Sequence, residues 1–407
     1  MTDRPAPRIR RAVLAVLLAV PSLAPASADG LGAAIAGGEA TVDARLRHER
    51  AEQDNAVADA DATTFRLRLG YATGEWAGFD AFAEYEGVYA LGGDDGYNSG
   101  PAFLAETNGR TGYSTIADPA GDELNRAWLR YRGLPGTEAK VGRQRLILDN
   151  ARFVGNVGWR DNEQTFDAVA LVNESLPGVT LTYAWLRRQN FIFFNDNRLD
   201  GHLLNARWAV YPRLTLVAYA YFIDFDDDAG PRAPGAPDHR DLGLRASGSL
   251  GPVDYSLEYA DQSDHADAPD SVDAEYWAAT LGAPLGPLRL DAGYESLGGD
   301  GSYAFQFPLA TNHKFQGWAD LFLATPAAGL RDAYAGVGGK WAGTTLKAVY
   351  HDFSADTGGA DYGSEWDLLA ARPVTPRLTL LAKFADYDAE TFAVDTRRYW
   401  LQAEYRF

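Results

Sequence analysis

Residue-by-residue alternation of polar and apolar side chains, broken by two alternating kinds of connection, constrains this chain more than any other feature. Val179, Leu181, Tyr183 and Trp185 share one parity, and Thr180, Thr182 and Ala184 the other. The window 253–259 puts Asp254, Ser256 and Glu258 on its polar side; 288–295 does the same with Arg289, Asp291, Gly293 and Glu295. A period of two belongs to strands, and no helical period fits these windows. Short connections with turn chemistry lie at Gly74–Gly78, Leu134–Gly136, Leu176–Gly178, Tyr211–Arg213, Leu250–Pro252, Leu285–Pro287, Trp341–Gly343 and Thr375–Arg377. Proline presets φ and glycine supplies positive φ, so each reads as a hairpin. Longer polar stretches at 92–122, 226–239, 262–272, 298–331 and 354–363 lie between the hairpins. Eight hairpins give sixteen strands, and one more fits near 41–51 and another at 395–407, about eighteen in all by pattern.

The chain's 407 residues exceed the roughly 250–300 that one soluble core sustains. A large barrel escapes that limit because it is built as a wall. Short turns on one side, long loops on the other and apolar alternate faces predict an all-β fold, a transmembrane antiparallel up-and-down barrel with periplasmic turns and extracellular loops. A secreted propeller or tandem sandwich would need a repeating blade motif or a polar exposed face, and neither is present.

The N-terminus agrees. Arg4, Arg8, Arg10 and Arg11 precede the apolar run Ala12–Val20, and Ala26-Ser27-Ala28 supplies small residues for cleavage after Ala28. Residues 1–28 read as a signal peptide and 29–407 as the barrel. Removing those four arginines and Asp3 deepens the formal charge from −19 to −22, a surface that avoids nucleic acid. The absence of cysteine excludes disulfides and thiolate chemistry.

A barrel of this size encloses water, so function is read from its polar face. Arg126, Trp128, Arg130 and Arg132 share one parity on their strand. Arginine facing lipid costs about 2–4 kcal/mol at midplane, which assigns that face to the lumen. The same argument is applied to Arg143 and Arg145 on the partner strand 141–146. Between Glu123 and Arg160 eight basic residues stand against three acidic ones, and Arg187, Arg188 and Arg207 follow. Arginine rings select anions. About half of these arginines are expected to pair with Asp149, Asp161, Glu163 and Asp167 as a ladder across the lumen. The loop acids Asp94, Asp95, Asp226, Asp227, Asp228, Asp264, Asp267 and Asp270 lack EF-hand spacing and read as solvated, not as a metal site.

Catalytic patterns are weak. Gly336–Lys340 lacks the spacing and the Ser/Thr of a phosphate loop, and no two histidines stand at metal spacing. His351 near Ser354 leaves a barrel hydrolase as a minor alternative. A plugged structural or adhesive barrel is the other.

Three blocks, NRAWLRYRGLP, KVGRQRLILDNARFVGNVGWRDNEQTFDAVAL and HKFQGWADLFLATPAAGLRDAY, spanning 125–171 and 313–334, resemble the alginate-export family of Gram-negative outer-membrane channels. The resemblance implies a porin-like, eighteen-stranded barrel whose arginine-rich lumen passes an anionic uronate polysaccharide, with loops that gate it. Carried over by position, Arg126, Arg130, Arg143 and Arg145 line the conduit, with Arg132, Arg152, Arg160, Arg187, Arg188 and Arg207 as further candidates. The third block, with His313, Lys314, Phe315, Trp318 and Asp320, is a gating loop folded toward the pore. Expected partners are outer-membrane lipid and lipopolysaccharide, the barrel insertion machinery, an anionic solute or polysaccharide and periplasmic secretion partners. No cofactor, catalytic residue or metal is expected. In the final YWLQAEYRF, Tyr399, Leu401, Ala403, Tyr405 and Phe407 face lipid on the closing strand, while Trp400, Gln402, Glu404 and Arg406 face inward. Tyr405 and terminal Phe407 resemble the signal read by the insertion machinery.

Overall fold

The structure is a computed structural model that describes residues 30–226 and 237–407. The expected leader and Asp227–Asp228 lie outside the described residues. After a short helix α1 (Leu31–Ala36), the chain forms β1 (Glu39–Gln53), β2 (Ala60–Ala72), β3 (Phe79–Ala90), β4 (Gly121–Leu134), β5 (Thr137–Gln144) and β6 (Thr165–Asn173). Next come β7 (Val179–Asn190), β8 (Asp196–Tyr211), β9 (Leu214–Phe225), β10 (His239–Leu250), β11 (Val253–Asp264) and β12 (Asp273–Leu285). The remainder is β13 (Leu288–Leu297), β14 (Leu330–Trp341), β15 (Thr344–Ser354), β16 (Asp361–Pro373), β17 (Leu378–Ala389) and β18 (Thr396–Arg406). Every strand pairs antiparallel with its sequence neighbours, and β1 pairs with β18 from Asp43 opposite Arg406 to Gln53 opposite Thr396. The sheet therefore closes and leaves no edge, the only way a sheet can cross hydrocarbon.

All eight hairpin connections fall where turn chemistry put them. Ala342 (φ 47°) and Gly343 (φ 82°) are both left-handed, as in a type I′ turn, and Ala77 and Gly78 repeat the pattern. These turns define the periplasmic side. The outer wall exposes Leu129, Leu181, Leu244, Leu281, Leu368 and Leu401. Trp76, Trp208, Tyr211, Trp341 and Phe407 are exposed near the turn side, and Trp185, Trp277, Tyr350, Trp366 and Tyr399 toward the loop side. These are interfacial girdles flanking an apolar band. Phe407 is tied in by two backbone hydrogen bonds with Val42 (2.8 and 2.9 Å).

One connection departs from the expectation. The strand expected to run through Leu146 ends at Gln144, and residues 145–164 form a long loop. That loop contains Leu146, Leu148, Phe153 and Val154, which are packed in the interior. A loop buried inside the barrel needs apolar residues, so its composition hid it among the strands.

Candidate functional site

Three extracellular connections turn back into the barrel: 91–120, 145–164 and 298–329. Phe153 and Val154 of the second, and Phe305, Phe307, Leu309, Ala319 and Phe322 of the third, are buried against inward wall residues such as Tyr219, Tyr221, Tyr276, Phe353 and Tyr387. Phe153 lies 4.8 Å from Tyr219 and 5.0 Å from Phe307 between ring centroids, and Phe322 lies 4.6 Å from Phe353. Burying each such ring contributes about 1.5–3 kcal/mol. The two loops thus share an apolar core with the wall and narrow the lumen.

On the β1–β5 side the loops meet the wall through charge. Arg45 and Arg47 of β1 and Arg66 and Arg68 of β2 alternate with outward residues and point inward, all buried. Loop carboxylates answer them: Asp118 lies 3.4 Å from Arg47, Asp161 3.6 Å from Arg45, and Glu163 3.4 Å from Arg68. Glu163 also accepts from Asn125 (3.0 Å), Asn156 (2.6 Å) and Arg145 (2.7 and 2.5 Å). Burial works to raise the Glu163 and Asp161 carboxyls, but the arginines outweigh it and hold both below the ordinary range. Asp118 goes the other way, raised by burial and by the charge of Asp161. Arg160 joins the loops to the wall through Glu49 (3.0 Å), Asp118 (3.3 Å) and Asp320 (2.7 Å).

A second knot fastens the third loop. Lys383 of β17 donates to His313 Nε2 (2.6 Å), and His313 Nδ1–H donates to Asp320 Oδ1 (2.6 Å). The imidazole lies parallel to Trp159 at 4.8 Å. The Lys383 ammonium sits over three indoles, 3.7 Å from Trp318, 4.1 Å from Trp159 and 5.4 Å from Trp400. Burial pushes His313 down to about 3, against the pull of Asp320. The ring is therefore neutral at physiological pH, which is what a ring accepting from lysine requires.

The residues singled out in the sequence divide into three groups. Arg126 (to Glu84, 2.7 Å), Arg130 (to Asp80, 2.5 Å) and Arg132 (to Asp80, 3.0 Å) point inward on β4. Arg145, Arg152 and Arg160 lie in the inward loop. Arg152 is buried against Glu295 (3.1 Å) with its guanidinium 3.8 Å over Phe307. Arg143, Arg187 and Arg188 sit elsewhere. Arg143 shares the parity of exposed Val141, and its register partner Asp167 (2.8 Å) shares that of exposed Leu171. The pair thus lies on the outer side of the extracellular rim, and Arg188 joins it through Asp167 (3.6 Å) and Asp196 (2.6 Å). Arg187 is exposed beside Trp185 and pairs with Asp200 (3.3 Å), also on the outside. A bulge between Leu186 and Arg188 turns Arg188 to the outside, and no pattern of residue types announces it.

Pairing is also more complete than the expected half. Every one of Arg126, Arg130, Arg132, Arg143, Arg145, Arg152, Arg160, Arg187 and Arg188 has a carboxylate partner, largely on β3 and in the loops. Arg207 alone of the ten has none among the described residues. Sequence reading overlooked Arg45, Arg47, Arg66 and Arg68. Their signal was present as Arg-Leu-Arg on each of the first two strands, the same inward alternation that marked Arg130. Lys383, the one cation of its strand, and Arg398, which follows Arg397 directly, show no such alternation and gave no such sign. In the third block, the His313 and Asp320 side chains are buried, Trp318 packs at the knot, Lys314 is exposed, and Phe315 lies 4.6 Å beneath the Arg152 guanidinium. His351 meets carboxylates at both nitrogens, Asp332 (2.9 Å) and Asp367 (3.7 Å), and among the described residues no hydroxyl is bonded to it.

A closed eighteen-stranded barrel with a lipid-facing belt and a lumen narrowed by its own loops defines an outer-membrane channel. Residues 39–322 match the family described as Alginate export, and the chain belongs to that family. Among solved structures it is similar to Pseudomonas aeruginosa OccK9 (OpdG), at TM-score 0.71 and 17% identity over 92% of this chain and 99% of that one. It also resembles P. aeruginosa OpdK crystallised with vanillate (TM-score 0.69, 16% identity, 91% and 98% covered). Acinetobacter baumannii OccAB4 is comparable (0.69, 14%, 91% and 98%). At these identities the likeness carries the fold alone. No curated protein matches the chain.

Proposed function

We propose that this barrel is a passive channel for anionic solutes, small carboxylates or a uronate saccharide in extended form. The observation that carries the reading is that inward Arg207 and Lys347 and the inward loop's Lys314 have no carboxylate partner among the described residues, beside loops that crowd the passage. Family membership supports a polyanionic saccharide as one cargo, and the vanillate in the OpdK structure, itself a carboxylate, is consistent with smaller ones. A leader removed after Ala28 delivers the chain to the insertion machinery, and Phe407 at the barrel seam serves as its assembly signal. Deleting Phe407 is expected to lower the amount of folded barrel in the outer membrane, read by heat-modifiable migration on gels.

The test of the channel is the reversal potential of the purified barrel in a planar bilayer under a salt gradient. An anion-selective current is expected, and a cation-selective one overturns the reading. The buried packing of the 298–329 loop keeps a plugged structural barrel as the second reading. Absence of current in both the intact protein and a variant lacking 302–325 would establish that reading.

A further inference from the structure

The arginines that caught attention in the sequence have their guanidinium forks filled by carboxylates. The lumen face from β8 to β15 differs. Arg207 on β8 and Arg245 on β10 are both in register with inward Val217 of β9, so they lie two strands apart, about 9–10 Å across the sheet. Arg245 Nε donates to Ser256 (2.9 Å) and stands 3.8 Å from Glu258. Its Nη1 and Nη2 have no partner among the described residues, and Glu258 is itself engaged by Tyr219 (2.9 Å). Lys347 shares the inward parity of Val349 and His351 on β15, is exposed, and has no carboxylate within bonding reach among the described residues. Lys314, at the end of the inward loop's short helical turn, is also exposed, and its ammonium donates to the carbonyl of Asn150 (2.8 Å) and lies 5.6 Å over the Phe315 ring. Burial lowers the Lys314 ammonium from its ordinary value, and the charges of Arg245 and Lys347 lower it further. The neighbouring lumen acids Asp254 and Asp291 are occupied in clamping Arg289 (2.9 and 2.8 Å).

We infer that the inward cations Lys314, Lys347 and Arg207, with the free Nη groups of Arg245, are the groups that contact the solute's carboxylate, while the paired arginines of β1–β5 hold the wall and the loops together. The inference rests on the anion-channel reading and assigns it to particular residues. Inward cations without a carboxylate partner, as Lys314, Lys347 and Arg207 are among the described residues, lack the counter-charge that an incoming anion supplies. Flexible ammonium groups are point charges without a bidentate fork. They attract a carboxylate without gripping it, the balance that conduction requires.

The experiment compares bilayer reversal potentials, and current block by glucuronate against uncharged glucose, in wild type and two sets of variants. One set carries Lys314→Gln and Lys347→Gln, singly and together; both residues are exposed, so folding is preserved, and heat-modifiable migration verifies it. The other neutralises a ladder pair, Arg126→Gln with Glu84→Gln. Each lysine change is expected to lower the anion-to-cation permeability ratio about fivefold, the weight of a unit charge a few ångströms from an ion in water. Glucuronate block is expected to disappear in the double lysine variant, and the ladder variant should stay near wild type. An anion-selective wild type whose selectivity and block survive in the double lysine variant overturns this assignment alone. A wild type without anion preference overturns the channel reading beneath it.

Discussion

From β1 to β5 the lumen wall meets the inward loops through guanidinium–carboxylate pairs; from β9 to β17 it meets them mainly through aromatic rings. Arg45, Arg47, Arg66 and Arg68 face Asp118, Asp161 and Glu163 on one side, with Asp43, Glu86 and Glu404 of the wall completing the set. On the other side Tyr219, Tyr221, Tyr276 and Phe353 enclose Phe153, Phe305, Phe307 and Phe322. Both regions are buried where loop meets wall, but they impose different tolerances. A buried ion pair fixes geometry and fails when one member is lost. An apolar cluster loses stability in proportion to the volume removed. The cations that remain free to meet a solute are then those outside both arrangements.

The largest effect is expected from Glu163→Ala, which leaves Arg68 and Arg145 facing each other without their shared carboxylate. A loss of about 3–5 kcal/mol in thermal unfolding in detergent follows from breaking a buried pair, and a loss below about 1 kcal/mol would break the distinction between the two sides. On the aromatic side, Phe153→Leu keeps an apolar group of nearby size and is expected to cost less, about 1–1.5 kcal/mol by the same measurement.

Acid should loosen the knot that joins the two regions. Docked His313 takes a proton only at about 3, against an ordinary value of 6.5. A released loop would take it up near 6.5, so docking weakens as pH falls from about 6.5 toward 3. Asp320, for which burial's upward push is outweighed by His313, Arg160 and Arg398, is likewise held below its ordinary value. Its contribution too is lost on acidification, so the two effects have one sign. Protease cleavage within 298–329 should therefore rise between pH 7 and pH 5, and His313→Gln should flatten that rise; cleavage independent of pH would show that the knot does not hold the loop. The smallest effect is expected from Arg130→Gln with Asp80→Asn. This pair is partly water-exposed at the periplasmic end of the ladder, and its joint removal should change stability by no more than about 1 kcal/mol.

The wall was legible because strand alternation and turn chemistry are local. Each of the eight hairpins needs only its own proline, glycine or left-handed residue, and lipid on one side with polar surroundings on the other imposes the period of two. The lumen was less legible. Arg126, Arg130 and Arg132 announced themselves by parity, but their partners Glu84 and Asp80 sit some forty to fifty residues earlier, on a strand joined to theirs by the 91–120 loop. Arg143 and Arg187 share the parity of outward Val141 and Trp185, a sign that the reading by charge passed over, while the one-residue bulge after Leu186 turns Arg188 outward and leaves no mark on composition. The 145–164 loop was hidden because it is as apolar as the wall it packs against.

By itself the sequence determined a barrel, its strand number, its membrane-facing surface and the residues at its closing seam, since each follows from short-range periodicity and solvent contrast. Only the tertiary structure decided which charges are neutralised. Pairing across the lumen depends on loops that return over more than a hundred residues, as when Arg160 reaches Glu49 and Asp320. A charge's chemistry is set by the counter-charge folded against it. The arginines most conspicuous in the chain are locked in pairs, and Lys314 and Lys347, which nothing in the alternation distinguished, are left facing the water.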